Sequence, residues 1–468
     1  MNASPPELVV MVSPDAAAAA RMEIGARSAG GRLQGIQLRA LATSATFALE
    51  RIERAQEPAA LGRLREARTP FFCGTVQGRT PDSAMEEVAS LPGVVAVYWK
   101  PGVENPLAPR SLVDEEPQLG LPGERPADFT KRQKYLAPAP DGIGIHSAWQ
   151  KPGGKGEGVH VIDIEGGWRF THSDLLVNSG GLLAGTQYPE VEWRDHGTAV
   201  LGQIGGDADE YGVSGISPSA RLSGVSHGSL GSARAIATAA EKLAAGDVLL
   251  LEMHRPGPLH GYQTRDDQDG YIAVEWWPDD LVEIRLAVAR GIIVVEAAGN
   301  GGQDFDAPLY DTPHASFPSG WKNPLDGADD SGAILVGAGA PPGGKHGPSR
   351  SRLNFSNFGA RIDCQGWGRS VVTCGYGDDY KDASDPYDED YWYSRTFSGT
   401  SSASPIVAGA IACLSGIAKA HGRVLQPLEV REALRKTGSL QQSSPSSPVN
   451  QRIGNLPDLQ ALITELKL

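Results

Sequence analysis

Short apolar runs bounded by glycine alternate with amphipathic stretches over most of this chain. Between residues 158 and 340 the apolar runs are GVHVIDI (158–164), ARLSGVSH (220–227), DVLLLEM (247–253), IIVVEAAGN (292–300) and AILVGAG (333–339). Runs of this kind, without a polar alternate face, predict strands covered on both sides. Between them, GTAVLGQIGG (197–206) begins a small-residue helix, and SARAIATAAEKLAAG (232–246) and PDDLVEIRLAVARG (278–291) read as helices that end at glycine. The alternation predicts an α/β fold: a doubly wound, mostly parallel sheet with helices on both faces. The working residues of such a sheet collect at the carboxyl ends of its strands.

The first hundred residues carry a smaller pattern. ELVVMV (7–12), FFCGTVQG (71–78) and VVAVYWK (94–100) read as strands, with an alanine-rich helical stretch after the first and a second helical segment over 46–67. In TPDSAMEEVASLPG (80–93), Thr80 is placed to cap a helix, Pro81 and Asp82 suit its first turn, and Gly93 stops it. A small α+β domain is therefore expected at 1–105. From Pro101 to about Arg132, proline, glutamate and glycine replace periodicity, which marks 106–133 as a linker and 134–468 as the α/β domain.

Composition narrows the partners. A chain of 468 residues with 40% hydrophobic and 21% charged residues is an ordinary globular protein with material for a sizeable core. The net charge of -14 argues against nucleic acid, which needs clustered cations. No positively charged start leads into a long apolar segment, and no apolar run reaches membrane-spanning length, so neither a secretory signal nor a membrane is expected. The expected location is the cytoplasm, or outside the cell by a route without such a signal. Four cysteines are too few for a disulfide scaffold; Cys364 and Cys374 are close enough to pair, and free thiols fit equally. The acidic run GDDYKDASDPYDEDYW (377–392) offers oxygens to a structural calcium ion but lacks EF-hand spacing, and it reads, with DDQD (266–269), as a solvated loop. His172, His254 and His260 form no zinc-binding pattern, and no cofactor is required.

Candidate chemistry lies in three polar residues: Asp163 in VIDI, His196 in RDHGTAV and Ser401 in FSGTSSASPIVAGA. Acyl transfer needs a hydroxyl, an imidazole to take its proton and a carboxylate to fix the imidazole tautomer; Asp, His, Ser is one of the known chain orders. Each alone has a plainer reading as a helix cap or strand end, and only their joint placement favours catalysis. Ser401 precedes a helix of small residues, so its hydroxyl and N–H sit at a helix N-terminus that favours a developing anion. Asn300 in EAAGNGG is placed to supply a second oxyanion donor.

These segments resemble those of the subtilisin-like serine proteases. VIDIEGGWRFTHSDL is similar to that family's aspartate segment, DHGTAVLGQI to its histidine segment, VVEAAGN to its oxyanion asparagine and GTSSASPIVAGA to its serine segment. GVSGISPSARL (212–222) and LNFSNFGARIDCQGWG (353–368) add to the likeness, which runs from about Lys134 to the C-terminus. The resemblance implies a serine endopeptidase with Asp163, His196 and Ser401 as triad and Asn300 in the oxyanion hole. It implies a peptide or protein substrate paired along Ser223, Gly224 and Val225, near a pocket bordered by Glu252, Met253, His254 and Gly299. PFFCGTVQGRTPDSAMEEVASLPGVVAVYWKPGVENPL is similar to the family's inhibitory propeptide, which makes the N-terminal domain an expected inhibitor, with self-cleavage between about Pro106 and Pro138. A separate inhibitory protein, a transpeptidase or macrocyclase, and a catalytically silent peptide-binding relative are the alternatives. Two departures stand out. A small residue and glycine usually follow the aspartate, whereas Ile164 and Glu165 follow here, and LEMHRPGPLHG with an insertion through Trp277 replaces the usual pocket strand.

Overall fold

The computed structural model describes residues 3–13, 36–41, 71–78, 80–106, 118–120 and 126–468. The helical stretches expected after residue 12 and over 46–67 lie outside these residues. The N-terminal region forms an antiparallel sheet from β1 (Glu7–Val12), β2 (Ile36–Ala40), β3 (Phe71–Val76) and β4 (Val94–Lys100), in the order β2-β3-β1-β4. Helix α1 (Pro81–Ala89) covers one face, with Thr80 accepting a hydrogen bond from Ser83 N. Ala84 and Val88 of α1 pack on Leu8, Val10 and Phe72 of the strands.

The larger sheet has seven strands, all parallel: β5 (His160–Glu165), β6 (Ser179–Ala184), β7 (Arg221–Ser226), β8 (Val248–Leu251), β11 (Ile293–Ala297), β12 (Ile334–Gly339) and β13 (Cys364–Trp367). Their order is β13-β12-β11-β8-β5-β7-β6. Between β8 and β11 a hairpin of β9 (His254–Pro256) and β10 (Tyr271–Ala273) stands apart as a two-stranded sheet. The expected doubly wound architecture is therefore present. Strand β6 escaped the hydrophobic pattern because it is a half-exposed, glycine-rich edge strand, SGGLLA.

Helices α2 (Val191–Gly205), α3 (Ser232–Lys242), α4 (Pro278–Ala289), α5 (Thr400–Ala420), α6 (Pro427–Lys436) and α7 (Leu459–Leu466) complete the domain. Helix α2 starts six residues before the expected 197, so His196 lies inside it rather than at a cap. Helix α5 is apolar all round and its residues Thr400 to Ala418 are buried, which makes it the central helix of the main core. This corrects the expectation that no apolar run reaches membrane-spanning length: α5 is long and apolar enough to cross a membrane, but it is packed wholly inside the protein. Cys73, Cys364, Cys374 and Cys413 are all buried free thiols, so Cys364 and Cys374 do not pair.

The two regions meet through a buried charged contact. Lys100, at the end of β4, reaches Asp279, Asp280 (3.2 Å) and Glu7 (3.5 Å), with Ser232 Oγ at 3.1 Å. Asp279 and Asp280 occupy the first turn of α4, and Ser232 begins α3. Arg255 joins from β9, reaching Asp280 at 3.3 Å and the Pro101 carbonyl. Tyr98 donates to Asp279 at 2.9 Å. Around this network Val9, Phe71, Tyr98, Ala233, Trp276 and Trp277 share one hydrophobic cluster.

Candidate active site

Strand β5 delivers two carboxyls to one side. Residues two apart on a strand face the same way, so Asp163 and Glu165 share a face, with Glu165 nearer the carboxyl end. His196 Nδ1 lies 2.8 Å from Glu165 Oε2. This corrects the expectation for Asp163: its Oδ2 accepts from Trp168 Nε1 at 2.8 Å, and it does not reach the imidazole. The matching motif is therefore Glu165-Gly166-Gly167, an acid followed by a small residue and glycine. The apparent departure after Asp163 was a register shift of two residues, and it was the signal that could have found Glu165.

Asp163, Glu165, His196 and Glu252 are all fully buried. Asp163 and Glu165 lie close enough for each carboxyl to shift the other. Asp163 Oδ1, Glu165 Oε1 and Glu252 Oε2 are buried without a donor. Burial raises the Asp163 carboxyl to about 7, against the lowering effect of Trp168. Glu165 is pushed up by burial and then by the charges of Asp163 and Glu252, and Glu252 by burial and Asp163. Burial and mutual repulsion therefore both act against full ionisation of this group. Burial lowers His196 to about 3. Glu252 ties this group to helix α5, since its Oε1 accepts from Ser404 Oγ.

Ser401 occupies the first turn of α5. Gly399 before it has φ +112°, a conformation that favours glycine and turns the chain sharply into the helix. Ser401 Oγ donates to the carbonyl of Pro106 at 2.7 Å, and Ser401 N approaches the same oxygen at 3.5 Å. His196 Nε2 is buried without a partner, so the Ser401 proton is directed to the N-terminal segment, not to the imidazole. Asn300 Oδ1 is fixed by Thr400 N (2.9 Å) and Thr400 Oγ1 (3.0 Å). That leaves its amide nitrogen as the donor end, which reaches Gln268 Oε1 at 3.4 Å.

The segment after β4 lies in the cleft as an extended strand. Glu104 and His254 exchange backbone hydrogen bonds of 3.0 and 3.1 Å in an antiparallel bridge. Val103 pairs with Ser4 on its other side. His254 therefore borders the segment in the cleft, and Met253 packs with Val103 in one buried cluster. Gly299 N lies 3.2 Å from Thr400 Oγ1, beside Asn300. The expectation that Ser223, Gly224 and Val225 form a free edge is corrected: they belong to β7, which is paired with β5 on one side and β6 on the other. Ser223 Oγ instead meets His160 Nε2 at 2.9 Å. In the acidic run, Asp390 binds Arg169, Glu389 binds Arg194 and Asp379 binds Arg132, so arginines hold these carboxylates. Among the described residues, Glu7, Cys73 and Asp279 cluster closely enough for a metal, but Lys100 already fills that position.

Residues 177–455 match the subtilase family (peptidase S8), a span that includes His196, Asn300 and Ser401 but begins beyond β5. The chain belongs to the subtilase family. Its relatives include subtilisin amylosacchariticus from Bacillus subtilis subsp. amylosacchariticus, 28% identical over 288 residues, which cover 60% of this chain and 62% of that one. Subtilisin BL from Lederbergia lenta is 26% identical over 289 residues, covering 61% and 84% respectively. The subtilase chain thus spans less than two thirds of the length of the first of these. Fervidolysin from Fervidobacterium pennivorans, a keratinolytic enzyme related to subtilisin, superposes with a TM-score of 0.57 at 16% identity, over 99% of this chain and 61% of its own. That likeness is one of fold.

Proposed function

We propose that this subtilase is a serine endopeptidase made with its own N-terminal segment lodged in the cleft. The observation that carries the reading is the Pro106 carbonyl, held 2.7 Å from Ser401 Oγ at the end of a strand paired with His254. A peptide carbonyl is thus seated against the serine hydroxyl and N–H at a helix N-terminus, and attack requires the Ser401 proton to turn from that oxygen to His196 Nε2.

In the proposed reaction His196 Nε2 takes the Ser401 proton as Oγ bonds to the carbonyl carbon. Glu165 accepts from Nδ1–H, which leaves Nε2 free as the base, and it stabilises the imidazolium that forms. The carbonyl oxygen becomes an oxyanion facing Ser401 N–H and the Asn300 amide. The imidazolium then protonates the departing amine, and water activated by the same imidazole releases the acyl group. Asp163, anchored by Trp168, acts on Glu165 through its charge. Self-cleavage would fall after Pro106, at the start of the linker. The N-terminal domain restrains the enzyme by filling the cleft, and its buried contact at Lys100 would outlast the cut.

A fluorophosphonate probe tests the nucleophile. The processed protein is expected to be labelled at Ser401, and Ser401→Ala is expected to leave the full-length chain uncut. Normal processing of Ser401→Ala rules out self-cleavage, and failure of the processed protein to be labelled once its N-terminal segment is removed rules out the peptidase reading.

A further inference from the structure

The β9–β10 hairpin, the insertion that departs from the family's usual pocket strand, closes over the bound segment. His254 pairs with Ala273, Arg255 with Ile272 and Pro256 with Tyr271, and the connecting loop carries Gln268 back to the cleft. Two of its side chains meet Glu104. Tyr271 OH donates to Glu104 Oε1 at 2.7 Å, and Gln268 Nε2 approaches Glu104 Oε2 at 3.4 Å. The Tyr271 hydroxyl also accepts from Arg265 N at 3.0 Å, so its own proton is the one offered to the carboxylate. Gln268 donates to the Asn105 carbonyl at 3.0 Å as well, gripping the backbone one residue nearer Ser401. Its Oε1 is the acceptor for Asn300 Nδ2.

Glu104 is thereby buried, 3% exposed, with a donor on each oxygen and, among the described residues, no cation bonded to it. A glutamate in such a place loses its hydration and needs these donors to remain there. Its place is defined relative to the nucleophile: it lies two residues before Pro106, whose carbonyl meets Ser401. Any peptide that pairs with His254 in the same register sets its own side chain against Tyr271 and Gln268.

We propose that the hairpin of residues 254–273 is a recognition site for a substrate glutamate two residues before the residue whose carbonyl is attacked. The inference rests on the peptidase reading above. Neutral donors accept glutamate and, through its carboxamide oxygen, glutamine. Aspartate is a methylene too short to reach both donors. Lysine would bury a cation against two N–H and O–H groups, with the remaining oxygens already engaged.

The test is to digest a peptide mixture, randomised around the cleavage position, with the processed protein after its N-terminal segment has been removed, and to read the products by mass spectrometry. Glutamate at this position is expected to exceed alanine by about tenfold or more in kcat/KM, the range of a hydrogen bond to a buried charged group. Glutamine should be second, and lysine depleted. Tyr271→Phe should bring the glutamate-to-alanine ratio towards unity while its cleavage of glutamine- or alanine-bearing peptides changes less. Cleavage with a flat profile at this position overturns the glutamate site and leaves the peptidase reading intact. Absence of cleavage of every peptide overturns both.

Discussion

The assignment of Glu165 rather than Asp163 as the partner of His196 is tested by a pair of isosteric substitutions. Glu165→Gln places an amide where the carboxylate now lies 2.8 Å from Nδ1 in a fully buried site. An amide N–H donated to Nδ1 forces the proton onto Nε2, and that tautomer cannot receive the Ser401 proton. Replacing the corresponding carboxylate of a serine-protease triad by its amide lowers kcat by about 10^4-fold, some 5 kcal/mol of barrier at about 1.4 kcal/mol per tenfold. Asp163→Asn, in contrast, still accepts from Trp168 Nε1 through its remaining oxygen and can donate to Glu165. Its loss should stay within about tenfold, the scale of one altered hydrogen bond. It should also move the acid limb of the activity profile to lower pH, because Asp163 is among the charges that raise Glu165. The assay is the rate of Ser401 labelling and of peptide hydrolysis by the processed protein from pH 4 to 9. If Asp163→Asn loses more activity than Glu165→Gln, or shifts the acid limb upward, the assignment is wrong.

Two further predictions concern stability. Lys100→Met leaves Asp279, Asp280 and Glu7 facing one another without their cation, and breaking such a buried pair costs about 3–5 kcal/mol, measurable as a fall in melting temperature of the full chain. A loss within about 1 kcal/mol would mean that the network is not held together by charge, since surface-like pairs fall in that range. Asp174 is pushed by burial from 3.8 to about 8. A carboxyl raised on folding stabilises below its unfolded value and loses that contribution as pH rises through the folded one, so the penalty grows from about pH 4 to 8. Asp174→Asn keeps an oxygen for Val213 N, and its melting temperature relative to the native chain should rise from pH 5 to pH 9; a constant difference would refute this.

Much of the architecture was readable from periodicity. The strands β5, β7, β8, β11 and β12 are short apolar runs between glycines, and a strand covered on both faces has no other way to be written. The polar edge strand β6 and the hairpin of β9 and β10 carried no such signature. Ser401 and Asn300 were visible because a hydroxyl before a small-residue helix and an asparagine after a buried strand are local features. Asp163 was misplaced because two acids two residues apart satisfy the same local pattern, and only the position of the imidazole separates them.

The amino-acid order alone thus determined which segments bury, where the sheet's working end lies and which side chains could carry chemistry there. Tertiary structure decided which carboxyl meets His196, that β7 has no free edge, and that Glu104 and Pro106 fill the cleft under Tyr271 and Gln268. Burial propensity is a property of neighbours along the chain, legible from spacing. A hydrogen bond between residues 31 or 167 positions apart, as for Glu165 with His196 and Glu104 with Tyr271, depends on how whole elements pack, and no local pattern encodes it.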